Sequence, residues 1–77
     1  MNVADYIHVD PAVMIGKPTV RGTRITVELV LRKMAQGATE ADLIRAYPQL
    51  THEAIRATAQ YAAELIAHEE NVPAALA

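Results

Sequence analysis

Seventy-seven residues without a cysteine set the first limits: a single domain (1–77), no disulfide framework and no thiolate zinc site. A chain this short buries only ~60 % of its extended surface on folding, so its stability is marginal and self-association is a natural remedy. The net charge of −2 speaks weakly against nucleic acid, the apolar runs are too short to cross a bilayer, and Met1-Asn2-Val3-Ala4-Asp5 lacks the basic start of a signal peptide, so a cytoplasmic protein with no membrane partner is the expectation.

In chain order, residues 6–25 read as a β element followed by a cationic loop. Tyr6-Ile7-His8-Val9 favours a strand, Asp10-Pro11 opens a turn with Asp as cap, and Val13-Met14-Ile15 is an apolar run expected to pair back or pack inward. Thr19-Val20 is the other strand nucleus. Both strands are too short to stand alone, so they pair with each other or across a dimer axis. Between Gly16 and Val27 two glycines, Pro18 and the cations Lys17, Arg21 and Arg24 crowd together. Glycine admits positive φ and proline fixes φ, so these cations are presented from a stiff turn.

Residues 26–70 read as three helices. The first spans about Val27 to Gln36, with Val27, Val30, Leu31 and Met34 on one stripe, Thr26 as N-cap, a Glu28–Arg32 pair and Gly37 as the stop. The second starts at the capping-box variant Thr39-Glu40-Ala41-Asp42, shows Leu43, Ile44 and Tyr47 on its apolar side, and ends at Pro48. The third begins at Thr51, with Leu50 and Ile55 forming a hydrophobic staple. Its stripe is read as Ile55, Ala59, Ala62, Leu65 and Ile66, and its end, near Glu70, projects past the globule. Residues 71–77 read as a mobile tail. The fold class is therefore mainly α, a tri-helical helix-turn-helix core with a short N-terminal β element.

Taken together, Ile7-x-x-Asp10-Pro11, Gly16-Lys17-Pro18, Arg21-Gly22-Thr23-Arg24-Ile25, Val27, Gly37, Tyr47-Pro48 and Leu50-Thr51 closely resemble the small prokaryotic family catalogued as Domain of Unknown Function 433. The resemblance covers about residues 7 to 66. It departs at Ile15, where many relatives place a second glycine. It implies a homeodomain-like helix-turn-helix fold, commonly dimeric, in proteins often encoded beside a PIN-like ribonuclease and regarded as its antitoxin. Such antitoxins neutralise the toxin by binding it, and some repress their own promoter.

Residues 1–36 carry Lys17, Arg21, Arg24, Arg32 and Lys33 against Asp5, Asp10 and Glu28, a net of +2; residues 37–77 carry a net of −4. Such a division suits a molecule with two different partners. The DNA-binding candidates are Lys17, Arg21 and Arg24 in the loop, with Arg56 and Gln60 on the third helix, where arginine reads guanine and glutamine reads adenine. Two alternatives stand beside this. The loop arginines could pair internally with Asp10 or Glu28, leaving Lys17 as the exposed contact, and the helix face, flanked by Glu53 and Glu64 with Ala57 and Ala63 adding nothing, could simply be solvated. Leu65, Ile66, Glu69 and Glu70 are the candidates for toxin binding, the carboxylates opposing a basic nuclease rim. His8, His52 and His68 lie on different elements and form no metal motif, no catalytic set is evident, and no cofactor is implied.

Three functions follow. The first is a dimeric antitoxin that binds a PIN-like ribonuclease and operator DNA. The second is a stand-alone DNA-binding transcriptional regulator. The third is a structural dimerisation adaptor whose loop arginines are internally paired.

Overall fold

The structure is a computed structural model and describes residues 1–68. Glu69, Glu70 and the tail expected at 71–77 lie outside the described residues. A single 3₁₀ turn at Val3–Asp5, capped by the Asn2 side chain, leads into strand β1 (Ile7–His8), and a second at Met14–Gly16 leads into β2 (Thr19–Val20). Helices α1 (Val27–Ala35), α2 (Glu40–Ala46) and α3 (His52–Ala67) follow. No helix among the described residues is long and apolar enough to cross a membrane.

The two strands pair with each other. They run antiparallel with Ile7 opposite Val20 and His8 opposite Thr19. Two residues a side would not persist alone; Ile7 and Val20 hold the pair by burying their side chains in the core. The Arg21 N–H donates to Tyr6 O at 2.7 Å, which continues the pairing beyond the strands. At the other end, the Val27 N–H donates to Pro18 O at 2.9 Å, fastening the loop to the start of α1.

Each helix begins at the threonine expected to cap it. Thr26 Oγ1 accepts from the Leu29 N–H at 3.0 Å and Thr51 Oγ1 from the Ala54 N–H at 3.1 Å. Thr39 and Asp42 form a reciprocal box at 3.1 and 2.9 Å. The Thr39 backbone N–H holds the Asp42 carboxyl below the ordinary aspartate range. Gly37 terminates α1 with φ 102°, and its N–H returns to Met34 O. Tyr47 and Leu50 then close a tight turn between α2 and α3.

The core gathers Ile7 and Val20 from the strands, Ile25 from the loop, Val27 and Val30 from α1, Leu43 and Leu50 around α2, and Ala54, Ile55 and Ala57 from α3. Two expectations are corrected here. On α3, Ala59 is exposed, whereas Ala54, Ala57 and Thr58 are buried beside Ile55. The buried arc is wider and turned because α3 packs against four elements, α1, α2, β1 and the first 3₁₀ turn. Thr58 satisfies its hydroxyl inside the core by donating to Ile55 O at 2.6 Å. Leu65 and Ile66 are 58 % and 54 % exposed, the helix having run past the elements that could cover them. The second correction concerns Met14 and Ile15, which neither pair back nor pack inward. Both take positive φ, and that carries the turn outward.

Candidate functional site

The cationic loop is a closed structure. Val20 O accepts from the Thr23 N–H at 3.0 Å, with Arg21 and Gly22 between them. Gly22 has φ 80°, the third position of a turn of type II geometry, which favours glycine. The Thr23 hydroxyl donates to Val20 O at 2.7 Å and accepts from the Ile25 N–H at 3.0 Å, so a single side chain braces both sides of the turn.

The three loop cations have three different fates. Lys17 Nζ lies 3.1 Å from Glu28 Oε1, exposed and ion-paired at once. Arg21 Nη2 donates to the Ala4 backbone carbonyl at 2.8 Å, joining the loop to the N-terminal 3₁₀ turn. Neither arginine meets Asp10 or Glu28. Asp10 Oδ1 accepts from the Ala12 N–H, and Glu28 is occupied by Lys17 and Arg32. These two cations hold the Glu28 carboxyl below the ordinary glutamate range, Arg32 more strongly. Arg24 is exposed and, among the described residues, makes no side-chain hydrogen bond or ion pair. It lines a 420 Å³ recess with His8, Asp10, Thr19 and, from the α2–α3 turn, Gln49.

At the start of α3 a cluster forms that sequence reasoning missed. Glu40 Oε1, on α2, sits 3.1 Å from His52 Nδ1 and 3.8 Å from Arg56 Nε. His52 and Arg56 are four apart on α3, but Glu40 lies twelve and sixteen residues before them, a separation with no helical signature. Gln60 Nε2 donates to Glu64 Oε1 at 3.2 Å and lines a recess against the N-terminal turn. Lys17, Arg24 and Gln60 thus line three different recesses. Arg24 is exposed and reaches the α2–α3 corner without a salt bridge, whereas Arg45 and Arg56, also exposed beside that corner, pair with Asp42 and Glu40. Among the described residues no three His, Asp or Glu side chains gather as a metal would require.

Residues 7–62 match the family described as Protein of unknown function (DUF433). The chain belongs to the DUF433 family. The matched segment opens on Ile7 of β1 and closes on Ala62; Val3 and Tyr6, which pack on the core, precede it, and the exposed Leu65 and Ile66 fall beyond it. A crystal structure of a DUF433 member protein from Anabaena variabilis is similar to this chain at 34 % identity and a TM-score of 0.72. The similarity covers 75 % of this chain and 57 % of that one. No curated protein matches.

Proposed function

We propose that this DUF433 protein is the antitoxin of a type II toxin–antitoxin pair: a cytoplasmic homodimer that binds and neutralises a PIN-like ribonuclease and binds its own operator DNA. The observation that carries the reading is the apolar end of α3. Leu65 and Ile66, consecutive on α3 and each more than half exposed, lie beyond the segment matched to the family, and a partner surface would relieve that exposure. Family membership supports the same reading through the resemblance set out above. The operator half of the proposal rests on Arg24, exposed and without a partner among the described residues, beside the α2–α3 turn. The same residue counts against an adaptor in which every loop arginine is internally paired.

Co-expression with the product of the adjacent gene tests the reading. Stable co-purification of the two, lost when Leu65 and Ile66 are both replaced by glutamine, is the expected result. Absence of any neighbouring nuclease, or no complex with it, contradicts it. If only DNA is bound, with a log affinity falling by about 0.9 per phosphate contact as log salt rises, the protein is a stand-alone regulator.

A further inference from the structure

Asp10 and Arg24 line the same recess, yet they do not pair with each other. The recess has a volume of 420 Å³ and lies between the strand pair and the α2–α3 turn, with His8, Val13 and Gln49 also on its wall. That volume falls within the range of small-ligand sites, about 300–1,000 Å³. Part of its polar lining is already committed. The Thr19 hydroxyl donates to His8 O at 3.3 Å, and the Thr23 hydroxyl braces the turn. Asp10 Oδ1 accepts from the Ala12 N–H at 2.9 Å, which fixes the carboxyl group. Its other oxygen, Oδ2, is 3.8 Å from His8 Nε2, too far for a hydrogen bond. Arg24 and Gln49 are exposed and, among the described residues, make no side-chain hydrogen bond. A carboxylate oxygen, a guanidinium and an amide are therefore left open on one recess.

We propose that this recess binds a small zwitterion of the amino-carboxylate class, with its carboxylate on Arg24 and its ammonium group on Asp10 Oδ2. Charge selects the class. A lone anion drawn to Arg24 meets the repulsion of Asp10, and a lone cation drawn to Asp10 meets that of Arg24. A molecule carrying both signs satisfies both walls. The planar fork of Arg24 suits a carboxylate, which it can hold by two parallel hydrogen bonds. Half-buried Val13 offers an apolar wall to a short methylene chain, and the Gln49 amide supplies both a donor and an acceptor. The site goes beyond the function proposed above and needs neither nuclease nor operator. It also bears on that function: a ligand held on Arg24 withdraws from DNA the cation on which the operator half rests, so ligand and DNA compete.

NMR titration of the full chain with glycine, β-alanine, γ-aminobutyrate and ε-aminocaproate, which set the two charges progressively further apart, is the test. The expected result is that one member of the series moves the amide signals of Asp10, Val13, Arg24 and Gln49. Its dissociation constant should rise about tenfold or more in Arg24→Gln and in Asp10→Asn, a change that keeps the Oδ1 acceptor for Ala12. Acetate and methylammonium, each with a single charge, should bind about tenfold or more weakly than that member. No response to any member at millimolar concentration overturns the proposal. Acetate binding that is as tight, and that Asp10→Asn strengthens, also overturns it, since Arg24 then serves single anions such as operator phosphates. So does non-additive loss of stability in the Asp10→Asn and Arg24→Gln double variant without ligand, which would show the two side chains paired with each other. Neither nuclease nor DNA is present, so a negative result leaves the antitoxin reading standing, and failure to bind a nuclease leaves this site standing.

Discussion

Lys17 Nζ bonds Glu28 Oε1 at 3.1 Å, and this contact fastens the cationic turn to the first turn of α1. Arg32 takes the other carboxylate oxygen at 2.9 Å. Glu28 is thus held ionised by two cations on opposite sides, while Asp42 is held ionised by the Thr39 cap. A carboxyl depressed in the folded state stabilises the fold above its unfolded value, and that contribution is lost as pH falls through the folded one. The unfolding free energy should therefore be level from neutrality to about pH 5 and decline below it, as both groups protonate. Urea midpoints measured down this range check the point. Glu28→Gln combined with Asp42→Asn should be less stable at neutral pH and show a shallower acid slope; an unchanged slope would assign the acid sensitivity elsewhere.

Ile15 and Gly22 both occupy the left-handed region, and exchanging their residue types should move stability in opposite directions. Ile15→Gly removes a strained β-branched residue whose side chain contributes nothing to the core, a gain of about 1 kcal/mol after the entropy of glycine in the unfolded chain. Gly22→Ala meets no atom within 4 Å, so its cost is backbone strain alone, also about 1 kcal/mol. Denaturant midpoints at low protein concentration, where self-association does not contribute, read both changes. A loss on Ile15→Gly would mean that the side chain is held within the monomer.

The corrected phase of α3 makes a sharp contrast. Ile55 is 1 % exposed and sits at the centre of the core, so Ile55→Ala should cost 2–5 kcal/mol, about the range for a large-to-small core change. Ala59→Ser, at a position the apolar stripe seemed to claim, should stay within about 0.5 kcal/mol of wild type. Equal effects from the two substitutions would restore the stripe read from the sequence.

The loop arginines should separate in the same way. Arg21→Ala breaks the tie to Ala4 O and should lower stability by about 0.5–1.5 kcal/mol. Arg24→Ala should leave stability unchanged and weaken operator binding, with the salt slope reduced by about one contact. Gel retardation at two salt concentrations, paired with thermal melts, reads both. If Arg21→Ala weakens DNA binding as much as Arg24→Ala without loss of stability, the assignment of roles is reversed.

What could be read from the sequence was local. Thr26, Thr39 and Thr51 cap their helices because a short hydroxyl before an apolar stripe has one favourable use, and Gly37 ends α1 for an equally local reason. The strand nuclei were legible as the runs Tyr6–Val9 and Thr19-Val20, but whether they pair with each other or across a dimer axis was not. The phase of α3 was not legible either, since alanine and threonine carry little hydrophobic signal and the buried arc depends on which elements flank the helix. Nor could the partners of the loop cations be read. Lys17 meets a carboxylate eleven residues away and Arg21 a backbone carbonyl seventeen residues away, and a carbonyl leaves no mark in the sequence. Ile15 was visible as a departure from the family's glycine, but only its φ shows what that departure costs.

The most direct test of the antitoxin reading is the ribonuclease activity of the PIN-like protein that this reading requires beside the gene, measured as this protein is titrated in. Inhibition that saturates at a fixed stoichiometry and is relieved by replacing Leu65 and Ile66 with glutamine is the predicted result. Full nuclease activity in the presence of excess protein would contradict it.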